Sequence, residues 1–274
     1  MKQKIQMLGL FALVALLIFG CTQTTPGTGT STTPLNTTPP GPGTTTHSLP
    51  LTSSAVTYAT SDGWNIHGTS YPAKNGAQET TKAVILAHMF SHDRSDYPET
   101  FIAYIHEQMP DAVILNIDLR GHGQSANLKS STDFGREDFI GMKNDLISSK
   151  AYLKTQYPNV RSIYLVGASI GSQASINAAA QDPEFTKVVM LAPGRDYQEV
   201  NIDDSIRTYH GGLLLVASYE DNYSEQSIRE LSPLVGASPL VTKTTYPIGH
   251  GVEIFGNEGQ EEKLDIVIAN FLKN

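Results

Sequence analysis

The chain has 274 residues, with 27 acidic side chains against 19 basic ones and a formal net charge of −8. That balance excludes the basic footprint of a nucleic-acid binder. A single cysteine excludes an intramolecular disulfide.

The first elements in the chain are not fold. Lys2 and Lys4 precede an almost wholly apolar run, 7–20, and Cys21 follows at once. A basic start and a short apolar stretch have the form of a secretory signal. The run falls short of the about 20 residues that a membrane span needs. Ile18-Phe19-Gly20-Cys21 resembles the lipobox of prokaryotic lipoproteins. That resemblance implies removal of residues 1–20, lipidation of Cys21 and a protein held by that lipid at the cell membrane, outside the cytoplasm; cleavage without lipidation would leave it secreted. Residues 21–48 continue as Thr, Pro and Gly without charge. Such a segment buries too little surface to offset its ordering entropy and is expected to be an extended tether. Residues 49–274 then suit one domain.

Within that domain the pattern predicts strands and helices in alternation. Residues 55–60 and 64–71 form a hairpin about Ser61-Asp62-Gly63. Apolar runs at 83–88, 112–117, 162–166, 187–191 and 212–217 read as buried strands, and 240–246 as one more. Helical spacing covers 97–109, 137–155, 170–180, 224–231 and 261–272. The expected class is α/β: a mainly parallel, doubly wound sheet with helices on both faces and an N-terminal antiparallel hairpin. Ligands of such sheets bind beyond the carboxyl ends of the strands.

The strand 162–166 ends in Gly167-Ala168-Ser169-Ile170-Gly171, a Gly-x-Ser-x-Gly pattern opening a helix. In so sharp a turn the flanking positions crowd each other and call for glycine, and the serine hydroxyl stands exposed at a helix N-terminus. Ser172 lies nearby, inside the helix and without flanking glycines. A serine needs a base to become a nucleophile.

Element order, leading hairpin and turn together resemble the α/β-hydrolase family, and within it the cap-less serine esterases and dienelactone-hydrolase-like proteins. The resemblance spans about 57–272. It implies a triad in the chain order Ser, acid, His. Only His210 and His250 follow Ser169. His210 precedes its strand, at the wrong end, whereas His250 follows the last strand in Pro247-Ile248-Gly249-His250-Gly251. The acid is expected in Ser218-Tyr219-Glu220-Asp221-Asn222, as Asp221 with Glu220 as the adjacent alternative; an acid here also suits a helix N-cap. The resemblance places the oxyanion hole on the backbone amides of Ile170 and of Phe90 or Met89, after His88. The family usually has His-Gly where this chain has His88-Met89. In Asp118-Leu119-Arg120-Gly121-His122-Gly123-Gln124-Ser125, Arg120 reads as scaffold.

The implied activity is hydrolysis of a small-molecule ester or thioester through an acyl-enzyme on Ser169. Two alternatives remain: a non-catalytic binding member of the same fold, and a small peptidase. No cofactor is expected, and His88 and His92 lack a third ligand for a metal. Only about twenty residues, 192–211, stand where family members often insert a cap, so the site should be open and shallow, suited to short-chain or bulky polar acyl groups and poorly suited to long lipids.

Overall fold

The computed structural model describes residues 51–236 and 239–274. The expected signal 1–20, the tether and Cys21 lie outside the described residues. The elements run in this order: β1 (Ser54–Ala59), β2 (Asn65–Tyr71), β3 (Lys82–Ala87), α1 (Glu99–Gln108), β4 (Ala112–Ile117), α2 (Arg136–Gly141), α3 (Lys143–Gln156), β5 (Ser162–Ala168) and α4 (Ile170–Ala179). Then come β6 (Phe185–Leu191), β7 (Asp196–Tyr197), β8 (Val200–Asn201), α5 (Asp203–Thr208), β9 (Gly212–Ser218), α6 (Asn222–Leu231), β10 (Leu240–Tyr246) and α7 (Leu264–Lys273).

Eight strands form one sheet in the order β1-β2-β4-β3-β5-β6-β9-β10. The hairpin β1-β2 is antiparallel, β2 is antiparallel to β4, and the pairs from β4 to β10 are parallel. Alternation along each strand divides the core into two layers. Ala83, Ile85 and Ala87 of β3 pack with Ile163 and Leu165 of β5 on one face, under α3 and α4. Val84, Leu86, Tyr164 and Val166 pack on the other, with Phe101 and Ile105 of α1 and Ile268 and Leu272 of α7. Strands buried on both faces read as continuous apolar runs, which is why they were legible.

Several boundaries differ from expectation. The helix expected at 137–155 is two, α2 and α3, meeting at Met142. A Cβ on Gly141 would stand 2.5 Å from Arg120 Nη1, so the chain is pinched there by a buried arginine. The helix expected from 97 starts at Glu99, because Pro98 sits before its first turn in extended conformation. The last helix starts at Leu264, not 261. Segment 192–211 holds α5 and, unforeseen, the two-stranded hairpin β7-β8, whose turn residues Gln198 and Glu199 both have positive φ.

Arg120 is scaffold, as its motif suggested. Its guanidinium holds the buried Asp145 and also Asp62 of the first hairpin turn, and lies 5.4 Å from the Trp64 ring centroid. It thereby ties the loop after β4 to α3 and to the β1-β2 turn.

Candidate active site

The carboxyl ends of β3, β5, β9 and β10 carry the residues singled out from the sequence. Ser169 follows β5 directly, with φ 50° and ψ −113°. A non-glycine residue at positive φ is strained, and here the strain belongs to the turn from strand to helix. The glycines are required by close approach. A Cβ on Gly171 would lie 2.3 Å from the carbonyl oxygen of Ala87, and one on Gly167 2.2 Å from that of Gly171. Helix α4 thus rests against the end of β3, with its N-terminus and the Ser169 hydroxyl at the top of the sheet. Ser172, by contrast, is buried and donates to the Ser169 carbonyl at 2.6 Å.

Asp221 follows β9 and has two partners. Its Oδ1 accepts from the Ser224 amide at 3.1 Å, which caps α6, and its Oδ2 meets His250 Nδ1 at 2.6 Å. Burial raises the Asp221 pKa, but the hydrogen bonds from His250 and Ser224 outweigh it and hold the carboxyl below its ordinary value. An ionised carboxylate only accepts, so Nδ1 of His250 is the donor in this contact, and the proton of a neutral ring sits there, leaving the Nε2 lone pair free. Glu220 stands exposed on the outer rim. Helix capping and contact with His250, weighed as rival roles for an acid here, both fall to Asp221.

The loop after β10 presents His250. Gly249 has φ +107° and Gly251 φ +58°, values that favour glycine. The Gly249 carbonyl accepts from Ser218 Oγ at 2.6 Å, tying this loop to the end of β9, and the His250 amide donates to Glu253 at 3.1 Å. His250 and Ser169 line one cavity of 110 Å³, together with Gln173, Ala192, Gly194, Tyr197 and Tyr223.

After β3, His88 is buried and spans two loops. It accepts from the Leu119 amide on Nε2 at 3.0 Å, so Nδ1 carries the proton and donates to the Met89 carbonyl at 2.7 Å. Burial drives its pKa down to about 3, which keeps it neutral. Since C=O and N–H of a trans peptide point in opposite directions, pinning the Met89 carbonyl turns the Phe90 amide away from the His88 ring. The amides of Met89, Phe90 and Ile170 have no hydrogen-bond partner among the described residues. The Met89 side chain fills the space over Gly251, where an added Cβ would meet its sulfur at 2.6 Å. The departure from His-Gly thus puts a thioether against the His250 loop.

The other histidines stand apart. His122 is buried, donates from Nδ1 to the Arg120 carbonyl at 2.8 Å and packs on Phe90 with ring centroids 5.5 Å apart. His210 lies before β9, at the opposite end of the strands, in a hollow with Phe185 and Tyr209. Among the described residues no group of three or more His, Cys, Asp or Glu could hold a metal. Gln173, Tyr197 and Tyr223 escaped the sequence reading. Gln173 had a signal, since it lies one helical turn after Ser169 on the same face. The two tyrosines had none.

Comparison with known proteins agrees with the fold. The family model described as "Serine aminopeptidase, S33" matches residues 78–218, just over half of the chain. A 2-succinyl-6-hydroxy-2,4-cyclohexadiene-1-carboxylate synthase of Citrobacter koseri is 32% identical over 117 residues, covering 42% of this chain and 40% of that protein. Among solved structures, an esterase of Pyrococcus furiosus aligns with TM-score 0.65 and 17% identity over 82% of this chain and 91% of its own. A dienelactone hydrolase from Anabaena variabilis aligns with TM-score 0.59 and 18% identity over 81% and 95%. At such identities these structures speak for the fold alone.

Proposed function

Because this chain belongs to the serine aminopeptidase S33 family of α/β-hydrolases, we propose that it is a hydrolase that cleaves small carboxylic esters or thioesters through an acyl-enzyme on Ser169. The observation that carries the reading is the 2.6 Å contact between Asp221 and His250, whose ring shares a cavity with Ser169 on its strained turn.

In this reading His250 Nε2 takes the Ser169 proton as Oγ attacks the substrate carbonyl carbon. The oxygen of the tetrahedral intermediate takes up the negative charge beside the amides of Ile170 and Phe90, with Met89 as the neighbouring donor. One such donor is worth on the order of 10² to 10³ in rate. Asp221 holds the Nδ1–H tautomer and stabilises the imidazolium. His250 then protonates the leaving alcohol or thiol, the C–O or C–S bond breaks, and Ser169 holds the acyl group. Water attacks the acyl-enzyme, giving its proton to His250, and the carboxylic acid leaves as Ser169 recovers its hydrogen.

A fluorophosphonate probe tests the mechanism on the full chain beside Ser169→Ala and His250→Ala. Labelling of the wild type that disappears in both variants is expected. A folded wild type that takes no label would turn the reading toward a non-catalytic binding protein. The family description also raises amide cleavage, so an aminoacyl p-nitroanilide belongs beside a p-nitrophenyl ester in the first assay. Turnover of the ester well above the anilide is expected.

We also propose that the domain works outside the cytoplasm, tethered through lipidated Cys21. The support is the Lys2/Lys4 start, the apolar run and the lipobox-like sequence before Cys21. Metabolic labelling with a fatty-acid analogue should mark the wild type and not Cys21→Ser; equal labelling of both would refute the anchor.

A further inference from the structure

One side chain stands between the nucleophile cavity and a larger hollow beside it. The cavity of 110 Å³ holds Ser169 and His250 and has Gly194, Tyr197 and Tyr223 in its wall. The hollow, of 350 Å³, lies between the strap β7-β8 and α6, with Arg195, Asp196, Ser227 and Glu230 around it. Among the described residues, Tyr223 alone borders both. Two neighbours fix its ring. The hydroxyl donates to the Asp196 carbonyl at 2.7 Å, on the side of the hollow. The ring edge lies on Gly194, on the side of the cavity: a Cβ there would stand 3.0 Å from Cε1 and 3.2 Å from the hydroxyl. Only a residue without a side chain lets the ring lie so close. Tyr223 is 48% exposed, so it faces open space and is not held in the core.

The cavity fits the acyl side of a substrate. In an acyl-enzyme the acyl carbon is bonded to Ser169 Oγ, and this cavity adjoins Ser169. A separate hollow of 310 Å³ adjoins His250 and Glu253 without touching Ser169, and is placed to receive the leaving group. At 110 Å³ the cavity is small against the about 300–1,000 Å³ of a pocket for a drug-sized ligand. An acyl chain that outgrows it must displace a wall. Gln173 and Ala192 are buried at 2% and 1% exposure and have close-packed neighbours behind them. Tyr223 has a void on its far side.

From this we infer, resting on the hydrolase reading above, that Tyr223 determines acyl specificity: its ring is the partition that limits the substrate to short acyl esters, and its removal joins the cavity to the hollow beyond.

The test is a series of p-nitrophenyl acetate, butanoate and hexanoate on the full-length protein, in wild type, Tyr223→Ala, Tyr223→Leu and Tyr223→Phe. Each added methylene that finds cover is worth about fourfold in kcat/KM. The wild type should turn over hexanoate well below butanoate. In Tyr223→Ala the hexanoate-to-butanoate ratio should rise about tenfold, the worth of two methylenes. In Tyr223→Leu, which keeps an apolar contact and serves should the alanine variant not fold, it should rise about fourfold. Tyr223→Phe keeps the ring and loses only the hydroxyl, so it should keep the wild-type ratio. The ratio is read within one protein, so a general loss of activity does not mimic it. A wild type that hydrolyses hexanoate as well as butanoate overturns this inference and leaves the hydrolase reading standing. So does a ratio unchanged in both Tyr223→Ala and Tyr223→Leu, or a rise in Tyr223→Phe equal to that in the smaller variants. A wild type that hydrolyses none of the esters and takes no fluorophosphonate label ends both.

Discussion

Replacing Asp221 by Asn and by Ala separates its two roles. Asn retains an oxygen for the Ser224 amide, and Asn caps helices about as well as Asp. Its NH₂ group then faces His250 Nδ1, which must become an acceptor, so the imidazole proton moves to Nε2. That tautomer cannot take the Ser169 proton, and a loss of about 10⁴-fold in kcat follows. Ala loses activity to a comparable extent but also strips the cap from α6, which costs about 1 kcal/mol. In a domain of this size that lowers the melting temperature by about 2–4 °C. The two variants should therefore share the kinetic defect and differ in melting. Glu220→Gln, on the rim, should stay within about twofold of wild type, the scale of a surface change of about 0.5 kcal/mol. The assay is p-nitrophenyl acetate hydrolysis beside a thermal melt. Asp221→Asn within about tenfold of wild type, with a large loss in Glu220→Gln, would refute the tautomer argument.

Three further outcomes follow from other parts of the molecule. Gly171→Ala would drive a methyl into the backbone oxygens of Ala87 and His88, at 2.3 and 2.6 Å, and should abolish probe labelling or folding; Ser172→Ala, beside it, should still label. His88 is held neutral when folded, with its pKa lowered to about 3, while the unfolded chain binds a proton near 6.5. Its contribution is therefore complete above pH 6.5 and is lost as pH falls toward 3, amounting to about 2 kcal/mol by pH 5. Urea unfolding at pH 7 and 5 should give that drop in wild type and a shallower one in His88→Asn; equal drops would count against it. Finally, the small cavity predicts a preference for p-nitrophenyl esters of about two to four carbons, and a clear preference for acyl chains beyond about ten carbons would refute it.

Much of the sheet was legible because its determinants are local. Apolar runs of strand length mark β3 to β6 and β9 wherever the chain is buried on both faces. The Ser169 turn was legible for the same reason: the glycines at 167 and 171 answer a steric demand made within five residues and the adjoining strand end. The chain order implied by the resemblance to α/β-hydrolases then nominated His250 over His210. Where several parts of the chain meet, local pattern was silent. Nothing in Glu220-Asp221 says which carboxyl turns inward; that depends on α6 needing a cap at Ser224 and on His250 arriving from the loop after β10. The break at Met142 depends on a guanidinium from a loop twenty residues upstream. The cavity wall joins α4, the β7-β8 strap and α6, elements whose side chains carry no shared pattern in sequence. Periodicity records which face of an element is buried. Only the tertiary structure decides which polar atoms meet there, because that is set by approach distances between segments far apart in the chain.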